Sequence, residues 1–170
     1  MRDNIVLIGM PGSGKSTIGI IMSRASGLDY TDTDRVIRDL EGQSLAELSE
    51  SEGTEGFRAL ENRIVSGLDV HRCVIATGGS VIYGADAMRR LREIGVVAYL
   101  QLSCGALEER LGDLKARGVS MRPGQTLREL YRERCPLYER YADITVRCDG
   151  LRPREVSAAV LQAAAPLLEW

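Results

Sequence analysis

Residues 9–17 read Gly-Met-Pro-Gly-Ser-Gly-Lys-Ser-Thr, which puts three glycines, a lysine and adjacent hydroxyls into one short run. Glycines let backbone N–H groups turn inward around a polyphosphate, and a helix that follows points its positive end at the anion. In such a loop Gly12, Ser13, Gly14 and Thr17 form the cradle, Lys15 reaches the β- and γ-phosphates, and the Ser16 hydroxyl can ligate Mg²⁺. The chemistry needs a strand before the run and a helix after it. The apolar stretch at 5–8 and the sequence Ile18, Gly19, Ile20, Ile21, Met22 supply both. Among 22 Lys and Arg residues only Lys15 and Lys115 are lysine. A compact ammonium fits between phosphates where a planar guanidinium does not, so the exception at Lys15 supports the motif.

A phosphate loop alone leaves open whether the nucleotide is a fuel, a switch or a substrate. The guanine-specifying Asn-Lys-x-Asp is absent, as are the Leu-Ser-Gly-Gly signature and the Asp-Glu strand end of transporter-type ATPases. The acidic pair at a strand end is Asp32 and Asp34, in Thr-Asp-Thr-Asp. If the stretch is extended, positions two apart project to one side and both carboxylates stand over the loop. One can hold Mg²⁺ while the other accepts a proton from an attacking hydroxyl. The alternative is that Asp34 caps a helix starting at Arg35 and Asp32 is solvated.

Three further features suit an anionic acceptor. Arg58 and Glu61 lie three apart on one helix face, where Glu61 can hold the guanidinium. The turn Thr77-Gly78-Gly79-Ser80 follows an apolar run, so its N–H groups fall at a strand's carboxyl end. Arg134 precedes Cys-Pro-Leu-Tyr in another helical segment. Two arginine forks and a glycine turn match a carboxylate with neighbouring hydroxyls.

These residues must be positioned by a frame, and the rest of the chain describes one. With 170 residues, 44% hydrophobic and 27% charged, the chain fits one globular domain with one core. A net charge of -2 argues against a nucleic-acid surface. No apolar run is long enough to span a membrane, and the N-terminus enters a strand without a leader, which predicts a cytoplasmic protein. Four cysteines without a C-x-x-C pair and a single histidine support neither zinc nor disulfides. Cys73 reads as core, and His71 as a surface residue at the end of a helix.

Apolar runs at 5–8, 73–76, 96–102 and 144–146, with a weaker one at 28–31, read as buried strands. Helical patterns fall at 15–25, 35–40, 45–50, 56–68, 85–94, 104–114, 127–138 and 152–164. This alternation predicts βαβ units and a mostly parallel sheet with helices on both faces, with ligands at the strands' carboxyl ends. Residues 115–125 lack periodicity, carry three cations and read as a mobile loop able to close over phosphates. Monomer is the default expectation.

Over nearly its full length the chain resembles the shikimate kinase family, small P-loop kinases of the nucleoside-monophosphate-kinase type. The resemblance rests on the loop at 9–17, Asp32-x-Asp34, Phe57-Arg58-x-x-Glu61, Gly78-Gly79, Arg122-Pro123, and Arg134-x-Pro136-Leu137-Tyr138. It implies a three-layer α/β/α, P-loop NTPase fold in which a five-stranded parallel sheet runs in the order 2-3-1-4-5. It further implies one kinase domain over 1–170, a mobile lid near 112–125 and substrate-binding helices near 33–68. The implied reaction moves the γ-phosphoryl group of ATP, with Mg²⁺, to a hydroxyl of shikimate, giving shikimate 3-phosphate for aromatic amino acid biosynthesis.

By the same resemblance, Arg58, Arg134, Gly78 and Gly79 bind the acceptor, and Asp34 contacts the reacting hydroxyl as base. Ser16 and Asp32 organise Mg²⁺, Lys15 and Arg122 neutralise the transferring group, and Arg110 and Pro153 match the adenine-clasping positions. Two departures stand out. The family's three glycines read Gly78-Gly79-Ser80 here, which adds a hydroxymethyl group beside the acceptor, and the usual Arg-Pro-Leu reads Arg122-Pro123-Gly124 in a somewhat longer lid. The rival readings are a relative acting on another small hydroxy acid, such as homoserine, and a non-catalytic ATP-binding module.

Overall fold

A computed structural model describes residues 1–111, 119 and 121–170. Five strands, β1 (Asn4–Ile8), β2 (Asp29–Asp32), β3 (Cys73–Ala76), β4 (Gly95–Gln101) and β5 (Ile144–Arg147), form one parallel sheet in the order β2-β3-β1-β4-β5. This is the predicted order. The register sets Leu7 beside Ala76 on one side and Ala98 on the other. Strand β1 is buried at every residue, as a central parallel strand covered on both faces must be.

Among the described residues seven α-helices connect and cover the strands: α1 (Lys15–Ser26), α2 (Thr33–Glu41), α3 (Leu45–Ser66), α4 (Ala85–Ile94), α5 (Cys104–Arg110), α6 (Leu127–Tyr141) and α7 (Pro153–Ala164). Right-handed crossovers send the chain to one face when it steps toward β2 and to the other when it steps toward β5. Accordingly α1 packs with α7, and α3 packs with α4. Cys73 is buried in the main core, as expected. A second, smaller core of Ile37, Leu48, Phe57 and Leu60 joins α2 to α3 apart from it.

Several boundaries move for local reasons. The predicted helix at 35–40 begins at Thr33, because the Asp32 carboxylate accepts from the Asp34 N–H as the N-cap. Asp32 and not Asp34 is therefore the capping residue, a role worth about 0.5–2 kcal/mol. The helices predicted at 45–50 and 56–68 are joined into α3, yet Gly53 stands at φ 72° and ψ 176° between them, a kink at the predicted gap. Ser44 and Glu47 close a capping box at its start, as Thr126 and Glu129 do for α6. His71 lies in the connection between α3 and β3, beyond the helix end, with Nδ1 3.2 Å from Asp3. The end of the predicted 104–114 helix and most of the 112–125 lid fall on residues 112–118 and 120, outside the described residues. Among the described residues no helix is long and apolar enough to cross a membrane.

Candidate active site

The carboxyl ends of β1, β2 and β3 open into a cavity of about 280 Å³. Pro11, Gly12, Gly14, Lys15, Ser16 and Thr17 line one end of it. Gly14 holds φ 94° as it hands the loop to α1, a left-handed conformation that a side chain would strain, so glycine is required where the helix must start abruptly. The N–H groups of the first turn of α1 then face the loop without intrahelical partners, which makes an anion site. Lys15 is buried, and its Nζ donates to Gly9 O at 2.7 Å and Met10 O at 2.8 Å. Burial pulls this ammonium down to about 8, against the pull of Asp34.

Ser16 and Asp32 meet as the sequence predicts, with the Ser16 hydroxyl donating to Asp32 Oδ2 at 2.8 Å. Tyr30 also reaches this oxygen, at 3.4 Å. Two hard oxygen donors beside a phosphate cradle fit Mg²⁺, which keeps water and phosphate oxygens in most of its positions. Among the described residues no group of three or more His, Cys, Asp or Glu side chains is placed to hold a metal ion. Asp34 lines the cavity two residues on. Its carboxyl is pushed up to about 6, first by burial and then by the Asp32 charge. A carboxylate so placed is ionised near neutrality and still basic enough to take a proton from a hydroxyl.

The opposite end is made by Gly78, Gly79, Ser80 and Arg134, with Phe57 and Leu45 as apolar walls. Arg134 is 1% exposed and heads the largest fully buried side chains. A Cβ on Gly78 would stand 2.6 Å from Asp34 Oδ1 and 2.8 Å from Glu61 Oε2, so two carboxylates close on one face of this turn and exclude any side chain. Tyr138 donates to Gly79 O at 2.5 Å and fixes the turn from behind. Glu61 is buried, and burial lifts its carboxyl to about 7.

The charges of Arg58 and Glu61 act on one another, and each side chain has a further partner. Ser80 donates its hydroxyl to Glu61 Oε1 at 2.5 Å, while the Arg58 guanidinium lies 3.7 Å above the Tyr83 ring. The hydroxymethyl group of Ser80 is thus committed to a wall carboxylate. Arg58 and Asp32 stand beside the cavity lining, as does Ser13, buried within the loop. Arg110 donates to Gly12 O at 3.3 Å and so covers the loop from outside. Arg122 is paired with Glu133 at 2.8 Å and does not reach the cavity lining. Pro153 opens α7 and lines a separate hollow with Ile21.

Sequence reasoning assigned no role to Leu45, Phe57, Thr77, Tyr83 and Glu133. Phe57 carried a signal, as an aromatic one position before Arg58. Tyr83 and Glu133 carried none, because only the fold brings their segments together.

Comparison with known proteins agrees with this geometry. A family model described as shikimate kinase matches residues 11–165. A shikimate kinase of Rhodococcus jostii is 37% identical over 172 residues, covering 99% of this chain and all of that one. One from Thermodesulfovibrio yellowstonii is 35% identical over 162 residues, covering 94% of this chain and 93% of its own. Among solved structures, shikimate kinase from Acinetobacter baumannii in complex with shikimate superposes with a TM-score of 0.83 at 26% identity, covering 98% of this chain and 95% of that one.

Proposed function

The chain belongs to the shikimate kinase family, and we propose that it uses ATP to phosphorylate a hydroxyl of shikimate, giving shikimate 3-phosphate. The observation that carries the reading is one cavity with the Lys15 loop at one end and Asp34, Arg134 and the Gly78 turn at the other. Residues 12–17 and Arg110 hold the nucleotide, and Pro153 sits at its base-binding side. Arg58 and Arg134 take the acceptor carboxylate as charge-assisted forks, while Gly78 and Gly79 border its hydroxyls.

Asp34 accepts the proton of the attacking hydroxyl, and its raised pKa suits that transfer near neutral pH. Lys15 and Arg122 balance the charge that spreads over the moving phosphoryl group. For Arg122 this means leaving its ion pair with Glu133. Ser16 and Asp32 would hold Mg²⁺, which would supply positive charge to the phosphates of the bound nucleotide. We read the chain as one kinase domain whose 33–68 helices carry the acceptor. Its place is the cytoplasm, where ATP is at hand, and it acts as a monomer.

A coupled ADP-release assay with ATP and Mg²⁺ tests this, comparing shikimate, homoserine and a blank without acceptor. Turnover with shikimate alone is the expected result. Turnover with another acceptor or with none overturns the assignment.

A further inference from the structure

We propose that Tyr83 is a positioning residue for acceptor recognition, its ring carrying the Arg58 guanidinium and its hydroxyl tied through Glu133 to Arg122. The inference rests on the acceptor reading above and goes beyond it. Tyr83 ends the short 3₁₀ turn Val81–Tyr83 that follows the Gly78 turn, so it is rigidly coupled to the acceptor end of the cavity. The Arg58 guanidinium carbon lies 3.7 Å from the centre of its ring, and that of Arg134 lies 5.3 Å from it. Both fall inside the range in which an aromatic face attracts a cation. One ring therefore borders both arginines assigned to the acceptor carboxylate.

Glu61, the i+3 neighbour expected to orient Arg58, has Oε1 engaged by Ser80. The ring is oriented in turn: the Tyr83 hydroxyl donates to Glu133 Oε2, and Glu133 Oε1 accepts from Arg122 at 2.8 Å. Glu133 lies on α6 one residue before Arg134, so the tyrosine, the second acceptor arginine and the Arg122 pair share one short segment of helix.

The consequences separate the ring from the hydroxyl. Tyr83→Met keeps volume but removes the aromatic face. It should raise the KM for shikimate about tenfold while the KM for ATP stays within twofold. Tyr83→Phe keeps the face and loses the hydroxyl with its contacts to Glu133 and Arg134, so its shikimate KM should rise by no more than about threefold. Thermal melts accompany both variants. A general loss of packing would lower the melting temperature and move both KM values together, and that pattern overturns the proposal.

A tenfold effect from Tyr83→Phe also overturns it, because the hydroxyl and not the ring would then be responsible, and this arm decides even if Tyr83→Met fails to fold. Unaltered shikimate KM in a folded Tyr83→Met sinks the Tyr83 role alone, provided the wild type turns over shikimate. Absence of shikimate turnover in the wild type sinks the functional reading itself and the role of Tyr83 with it.

Discussion

At the phosphate end of the cavity, residues 9–17 fold back between β1 and α1, and their own backbone makes the site. The acceptor end is lined by Asp34 from α2, Phe57 from α3, Gly78 to Ser80 from the turn after β3, and Arg134 from α6. The first needs only a strand and a helix to anchor it. The second needs four segments to be held in register by packing, part of it from the small Ile37, Leu48, Phe57 and Leu60 core that stands apart from the main one. A local loop is robust to distant change. A site assembled at long range is open to adjustment, and so is the end at which an acceptor can be selected.

If the two ends are separable in this way, substitutions at the acceptor end should spare nucleotide binding. The largest effect falls on Asp34. Asp34→Asn should cut kcat by about 10²–10⁴, the usual worth of a positioned base, with ATP affinity measured by calorimetry within a fewfold of wild type. Turnover close to wild type would remove Asp34 from the chemistry. Next comes Arg58→Ala, which removes the guanidinium proposed above to pair with the acceptor carboxylate. At roughly 1.5–3 kcal/mol for such a contact, the shikimate KM should rise about 10- to 100-fold and the ATP KM little. Equal rises in both would mean that Arg58 supports the whole cavity and that the two ends are not separable.

The same contrast explains what was legible in the sequence. The order of the strands followed from the family resemblance, while their number and the nucleotide loop were readable from short apolar runs and from residues 9–17. A motif whose geometry is set by consecutive residues is written consecutively. Arg134 was picked out by its place before Cys-Pro-Leu-Tyr and by the family resemblance, but nothing local says that it is 1% exposed. The i+3 spacing of Arg58 and Glu61 put the pair on one helix face, but it did not announce the Ser80 hydroxyl on Glu61 or the Tyr83 ring beneath Arg58. Helix spacing brings two side chains to one face, but what each touches there depends on the segment packed against it. The Asp32 cap was missed for a smaller reason: an aspartate that ends a strand and starts a helix two residues early looks the same in sequence as one that points to solvent.

Burial at the acceptor end has a pH signature of its own. The Glu61 carboxyl moves from an ordinary 4.5 to about 7, chiefly through burial, so the folded protein holds a proton there that the unfolded chain has given up. Its favourable contribution is complete below about 4.5 and is lost as pH rises through about 7. Glu61→Gln removes the group that must ionise. The melting temperature of the variant relative to wild type should therefore climb from pH 5 to pH 8. A difference that stays level across that range would show that Glu61 is not titrating in the folded state.

The smallest effect is expected at Ser80, where the family resemblance implies a glycine. A hydroxymethyl group lining this end could reshape acceptor choice if its oxygen were free to bond the acceptor. Instead its Oγ donates to Glu61 Oε1 at 2.5 Å, and the carboxylates that close on Gly78 remain in place around it. Ser80→Gly should therefore leave the ratio of kcat/KM for shikimate over homoserine within about threefold of wild type. Its cost should appear in stability, by about 1–3 kcal/mol, because a buried carboxylate loses its hydroxyl donor. A changed acceptor ratio with unchanged stability would reverse this assignment. Ser80 would then belong to the acceptor itself, and selection at this end would rest on one side chain rather than on the packing of four segments.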